Sequence, residues 1–198
     1  MHEPTTPRDS DTPPGWDTNP SSWRQRLPII AMALVAFVAA VNLALYQFGA
    51  IARPWEPFFG DGSRRILESW VSKLFPVPDA ALGAASYLLD AVAGAIGGRR
   101  RWQTMPWMVI LFGLFVGPLG AVSVLLVILQ PVLFSAWCTL CLVTALLAVL
   151  MIGPAMDEVL ASLQFLKRAR LAGKSVWKAL WGLPEGGLSS LQATAAGN

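Results

Sequence analysis

No charged residue stands between Arg26 and Arg53, and none between Arg101 and Asp157. A backbone inside lipid must satisfy its own N–H and C=O groups, and a helix does so within one segment. Crossing takes about 20 consecutive apolar residues. The first gap therefore fits one crossing and the second fits two. A further apolar stretch between Lys73 and Arg99 is interrupted only by Asp79 and Asp90. Charged residues make up 14% of the chain and hydrophobic residues 55%, whereas a soluble domain carries about a quarter charged residues. These features predict an all-α integral membrane protein, a four-transmembrane-helix bundle with spans near 27–51, 79–96, 107–129 and 132–152.

The segments between and beyond the spans have their own character. Residues 1–22 are rich in Pro, Asp, Thr and Ser. Such a composition has too little apolar surface to offset the entropy of ordering, so 1–26 is expected to be a disordered tail. The run 27–51 is too long and starts too late for a cleaved leader, and is expected to be retained. After it, Pro54-Trp55-Glu56-Pro57-Phe58-Phe59-Gly60 is a turn-forming aromatic stretch suited to the membrane interface. Asp61 or Ser63 can cap a helix there. Ile66, Leu67, Trp70, Val71 and Leu74 recur at helical spacing, with Arg64, Arg65, Glu68, Ser69 and Lys73 opposite, which predicts an amphipathic helix over one end of the bundle.

Gly113 and Gly117 permit close helix contact, and Pro118 is expected to kink span three. Gln130-Pro131 reads as the tight turn into span four. Beyond Pro154, Met156, Val159, Leu160, Leu163 and Leu166 form one stripe. Val176, Trp177, Leu180 and Trp181 beside Lys174 and Lys178 suit a helix lying on an anionic leaflet. Residues 153–198 are accordingly expected to be an amphipathic tail.

Four crossings put both termini and the Arg99-Arg100-Arg101 turn on one side. The other side holds Arg53, Arg64, Arg65 and Lys73, and the remaining 11 of the 15 Lys and Arg lie with the termini. Cationic residues mark the cytoplasmic face, so both termini are expected in the cytoplasm and the 53–76 loop outside. The net charge of +3 comes from these juxtamembrane residues. Membrane lipid is the expected contact, and nucleic acid is not.

Cys138 and Cys141 are the only cysteines. On a helix the i, i+3 spacing puts both sulfurs on one face, within reach of a disulfide. Two turns from Gln130-Pro131, Cys138 is expected roughly 10 Å into the bilayer, toward the oxidising side where disulfides persist. The dipole at the start of span four favours thiolate. The plainer reading is two small buried hydrophobes. Two thiols make half a tetrahedral metal site, and His2, the sole histidine, lies in the tail on the opposite side, so no metal is expected. Asp90 is an intramembrane carboxylate and thus a functional candidate, with a polar lock or pairing with Arg99 to Arg101 as its simpler role.

With these residues the chain resembles the vitamin K epoxide reductase family of membrane thiol oxidoreductases over residues 29–152. The resemblance rests on four spans, a large outer loop after the first, and Cys138-Thr139-Leu140-Cys141 near the outer start of the fourth. It also rests on Ser63-Arg64-Arg65-Ile66-Leu67-Glu68-Ser69 leading to Pro78-Asp79-Ala80-Ala81-Leu82-Gly83 and Tyr87. The resemblance implies a thiol–disulfide oxidoreductase of the cell inner membrane with a membrane quinone as cofactor. Cys141 would face a quinone held among the spans, Cys138 would exchange with an incoming dithiol, and Trp137, Tyr87 and Phe134 would line the ring's site.

The family usually carries a pair of loop cysteines that relays electrons from a thioredoxin-like partner. This chain has neither, and Ser63 stands where the second would be. A separate thioredoxin-like periplasmic protein would then have to reach Cys138 directly, past a lid anchored by Trp55, Phe58, Phe59 and Trp70. The alternative is a non-catalytic membrane scaffold or anchor that retains the fold.

Overall fold

The computed structural model describes residues 11–72 and 76–183, and every element among them is helical. In chain order these are α1 (Trp23–Gln47), α2 (Gly62–Leu67), α3 (Asp79–Ala95), α4 (Arg101–Thr104), α5 (Pro106–Phe134), α6 (Thr139–Leu171) and α7 (Val176–Leu180). The uncharged runs account for α1, α5 and α6, which are 25, 29 and 33 residues long and apolar enough to cross a membrane. Their outward faces carry exposed Leu34, Val38, Leu114, Phe115, Leu125, Leu146 and Leu150. Such a girdle is stable only against lipid, because in water it would far exceed the apolar patches a monomer tolerates. The stretch expected to be the span near 79–96 is the helix α3, but its 17 residues rise only about 25 Å, and it is not among the three helices long and apolar enough to cross a membrane.

Small residues let the helices approach. α1 packs along α3, presenting Ala33, Ala36 and Ala40 to Ala84, Tyr87 and Ala91 in one buried cluster. A Cβ on Gly94 would come within 2.9 Å of Ile30. α5 and α6 form an antiparallel hairpin in which Gly113 lies against Val159 and Gly120 against Ile152; a Cβ at either would fall 2.3 or 2.6 Å from those side chains. The close face of α5 thus runs through Gly113, Val116 and Gly120, whereas Gly117, the expected partner of Gly113, meets nothing.

Two prolines do not break the long helices as expected. α5 continues through Pro131, and α6 continues through Pro154 to Leu171. A mid-helix proline forfeits one backbone bond. An irregular segment in lipid would leave several groups unpaired, so continuing the helix is the lesser cost. Residues 153–171 therefore belong to α6, and the face they bury is Ala155, Glu158, Ala161, Ser162, Phe165 and Ala169. Of the expected stripe, Leu160 and Leu163 point outward. α7 is a short helix whose Trp181 packs at a tilt on Trp107 and edge-to-face with Trp177, ring centroids 5.4 and 6.0 Å apart. Residues 184–198 of the expected tail lie outside the described residues.

The end opposite the cysteines is closed by a buried ionic cluster. A helix C-terminus leaves carbonyls without partners, and at α3 two arginines supply them. Arg26 donates to the carbonyls of Gly94, Ile96 and Gly97 at 2.7–2.8 Å for its bonds through Nε, Nη2 and Nη1. Arg101 donates to Ala93 and Ile96 at 2.7 and 3.0 Å. Arg101 also pairs with Glu158 through two guanidinium nitrogens, and all three charged side chains are almost wholly buried. Arg101 thus pairs with Glu158 and not with Asp90. Asp90 is buried, with Oδ2 unpaired.

The N-terminal segment joins this cluster, which corrects the expectation of disorder through residue 26. Ser21 donates to Glu158, Asn19 Nδ2 to the Arg99 carbonyl at 2.9 Å, and Trp16 Nε1 to Gln164 Oε1 at 2.9 Å. Asp11 pairs with Arg100. Trp16 packs beside the edge-to-face pair of Trp102 and Phe165. One aromatic anchor and a set of polar groups matched to basic and carbonyl partners supply what aliphatic content does not. Residues 1–10 lie outside the described residues.

Candidate functional site

The site is built at the turn between α5 and α6. α5 extends to Phe134, and Ser135 ends it in the left-handed conformation at φ 46°. The chain re-enters helix at Thr139, with Cys138 as N-cap in extended conformation. Cys138 therefore sits at the tip of α6, not two turns inside it, because Pro131 leaves α5 intact and shifts the turn to residues 135–138. Its Sγ accepts the Cys141 N–H at 3.2 Å, filling one of the orphan donors of the first turn. The two cysteines are joined as a disulfide with Cα atoms 5.2 Å apart. A thiolate formed here would lie at the positive end of a 33-residue helix, where anions are favoured.

The two sulfurs have different surroundings. Cys138 is fully buried, packed with Leu43, Leu67 and Leu140 under the loop between α1 and α3. Cys141 opens on a cavity of about 340 Å³ between α1, α3, α5 and α6. Tyr87 and Phe134 line the same cavity, and Tyr87 donates to the Thr144 carbonyl at 3.1 Å, tying α3 to α6 beside Cys141. Trp137 is not among the lining residues. It lies on the loop side, 38% exposed and 6.5 Å from the ring of Phe59. Of the three aromatic residues expected around a ring, two gather at Cys141 and Trp137 does not, since the extended N-cap turns it away.

The loop is held by other means than its aromatics. Trp55, Phe58 and Trp70 are 61–78% exposed and Phe59 42%, so they are not the buried anchors that a lid would need. The expected amphipathic helix is reduced to α2, and Lys73 and Leu74 of that expectation lie outside the described residues. The fastening is Glu56. Its carboxylate accepts the Thr139 N–H at 2.9 Å, the Thr139 hydroxyl, the buried Ser63 hydroxyl, and the N–H groups of Phe58 and Phe59 at 3.3 and 3.2 Å. A second fastening is steric. Gly62 lies so close that a Cβ would fall 2.0 Å from the Trp137 carbonyl oxygen. Ser63 is thus a hydrogen-bond donor to the latch. Glu56 left one trace in the sequence, as the lone acid in an aromatic and proline-rich stretch. Gln130 left a similar one, as the only amide between Gln103 and Gln164.

Burial works to raise the Glu56 pKa, but the hydrogen bonds from Ser63, Thr139 and Phe59 outweigh it and hold the group below its ordinary 4.5. The latch is therefore at full strength above that ordinary value and is lost as pH falls through the lower folded value. In a Glu56→Ala chain at pH 7, a water-soluble phosphine is expected to reduce the disulfide several-fold faster than in wild type. The ratio of the two rates should approach one as pH falls well below 4.5. Equal rates at pH 7 would show that Glu56 does not hold the loop.

The model of the vitamin K epoxide reductase family matches residues 27–155. No curated protein and no solved structure matches the chain. A match over well more than half the length, coinciding with the long apolar helices and the paired cysteines, makes this chain a member of the vitamin K epoxide reductase family.

Proposed function

We propose that this chain is a thiol–disulfide oxidoreductase that passes electrons from an external dithiol to a membrane quinone through Cys138 and Cys141. The reading is carried by the division of the pair, with one sulfur under a latched loop and its partner opening on an apolar cavity beside Tyr87 and Phe134. A cavity of about 340 Å³ falls within the range of small-molecule sites, and apolar walls with few polar groups suit a quinone ring. A bound quinone would supply a two-electron acceptor.

The chain's own residues do the rest. A partner thiolate attacks Cys138 Sγ, breaking the Cys138–Cys141 bond and releasing Cys141 as thiolate. The partner's second thiol then displaces Cys138, so the partner leaves oxidised and the chain holds a dithiol. Re-forming the disulfide releases two electrons and two protons, which a quinone held beside Cys141, Tyr87 and Phe134 would accept. Tyr87 fixes α3 against α6 at the cavity wall, and Gly62 with Glu56 keeps the loop over Cys138 between encounters.

In this reading α3 is the fourth crossing, both termini are cytoplasmic in a cell inner membrane, and the dithiol arrives from the periplasmic side, where a thioredoxin-like protein would supply it. The charge asymmetry supports that orientation.

Full burial of Cys138 and replacement of the loop cysteine by a buried serine favour the competing reading, a scaffold that keeps the fold without turnover. Right-side-out membrane vesicles separate the two. A membrane-impermeant dithiol added outside should drive quinone reduction, and the same reagent sealed inside should not. Loss of the outside signal in Cys138→Ser and Cys141→Ser chains would confirm the route. Quinone reduction at the background rate in wild type would establish the scaffold.

A further inference from the structure

Gln130 joins the cavity to the cysteine turn. It lies in the last turns of α5, 3% exposed, in a helix whose other residues there are apolar. Its Oε1 accepts the backbone N–H of Cys138 at 3.1 Å. That bond fixes which end of the amide is which, because an N–H can pair only with the oxygen. The NH2 end is therefore the opposite one, and Gln130 is part of the wall that Cys141, Tyr87 and Phe134 share. Among the described residues no protein acceptor takes Nε2, and it is not one of the buried unpaired atoms. Ser72, Ser86, Tyr87, Ser123 and Thr144 also line the cavity, but each already donates within the protein, so the two unused donors of this fixed amide make a site for a carbonyl oxygen.

We propose that Gln130 Nε2 donates to one carbonyl oxygen of the bound quinone and thereby sets the ring beside Cys141. The proposal rests on the quinone reading above and deepens it. Gln130 supplies neither electrons nor protons. As Cys138 and Cys141 close their disulfide, two electrons and two protons pass to the ring and its carbonyls become hydroxyls. A donor aimed at a carbonyl oxygen counts most while negative charge gathers there. The same amide holds the Cys138 N–H through its oxygen, so one side chain positions both the electron-accepting ring and the turn that carries the exchanging sulfur.

Gln130→Glu separates the two roles. At a pH high enough to ionise it, the carboxylate still accepts the Cys138 N–H, so the turn and the disulfide persist, but it offers no donor to the cavity. Gln130→Met removes both. With a soluble ubiquinone analogue and an external dithiol, Gln130→Glu is expected to raise the quinone KM about tenfold, the scale of one lost hydrogen bond, while the KM for the dithiol stays unchanged. Infrared difference spectra with a carbonyl-labelled analogue give a readout independent of turnover. One carbonyl band should be shifted to lower wavenumber on binding to wild type and unshifted with Gln130→Glu. If wild type turns over and the Glu chain has the same quinone KM and the same band shift, Gln130 is a cap for Cys138 only. If wild type neither binds nor reduces the analogue, the quinone reading falls and this one with it.

Discussion

A Cys141→Ser chain is expected to accumulate a mixed disulfide between Cys138 and its redox partner, and to lose quinone reduction to background. Cys138 occupies the N-cap of α6, with its Sγ facing the Cys141 N–H. Once the disulfide is gone, that donor and the helix dipole remain to favour thiolate at Cys138. The thiolate attacks the partner's disulfide, a Cys138–partner bond forms, and one partner sulfur leaves as thiolate. Wild type can leave this adduct in two ways, by attack of Cys141 on Cys138 Sγ or by return attack of the partner's own thiol; serine closes the first, so the adduct persists longer. Non-reducing gels of alkylated membranes should show a band shifted by the mass of the partner, absent from a Cys138→Ser/Cys141→Ser chain. A Cys138→Ser chain offers the control, because Cys141 faces the cavity and should give no such band. Absence of the adduct with the partner present, together with a double variant that functions as wild type does, would make the cysteines packing residues.

Glu158→Ala is expected to destabilise the fold by about 3–5 kcal/mol, the cost of leaving a buried charge without its partner. Arg101 would lose both carboxylate oxygens while 1% exposed and close to buried Arg26, and Ser21 would lose its acceptor. Replacing Arg101 and Glu158 together by Met should cost less than Glu158→Ala alone, since no charge is stranded. It should not match wild type, because the carbonyls of Ala93 and Ile96 would lose the donors Arg101 gives them. Thermal unfolding in detergent micelles, followed by helical circular dichroism, reads the order. A Glu158→Ala chain that unfolds with wild type would mean the pair contributes nothing.

What the sequence disclosed follows from how local the underlying physics is. The uncharged runs disclosed α1, α5 and α6, because lipid burial acts on each segment separately. The cysteine spacing disclosed the disulfide for the same reason, since i and i+3 meet without help from the rest of the fold. Pro131 and Pro154 misled, because a proline signals a break only where water stands ready to satisfy the freed groups. The N-terminal segment was hidden by its poverty in aliphatic residues, and its order depends on Glu158, Gln164 and Arg99, all distant in the chain. Glu56 and Gln130 showed in the sequence only as isolated polar residues in apolar surroundings, and their place in the site was hidden for that reason too. Their partners, Thr139 and Cys138, are chosen by the folded bundle and by nothing in their own neighbourhoods.

The unbroken course of α6 also makes the protein a gauge of membrane thickness. Thr139, held by Glu56, and Glu158, held by Arg101 and Ser21, are polar fixtures on one rigid rod. The 19 steps from the first to the second span about 29 Å of helix, close to the ~30 Å of a typical hydrocarbon layer. Neither fixture can slide into lipid without stripping its partners, so a thinner or thicker bilayer must deform around the rod or tilt it. The lipid composition of the host membrane thereby bears on how deep the disulfide lies, and so on which soluble reductants can reach it.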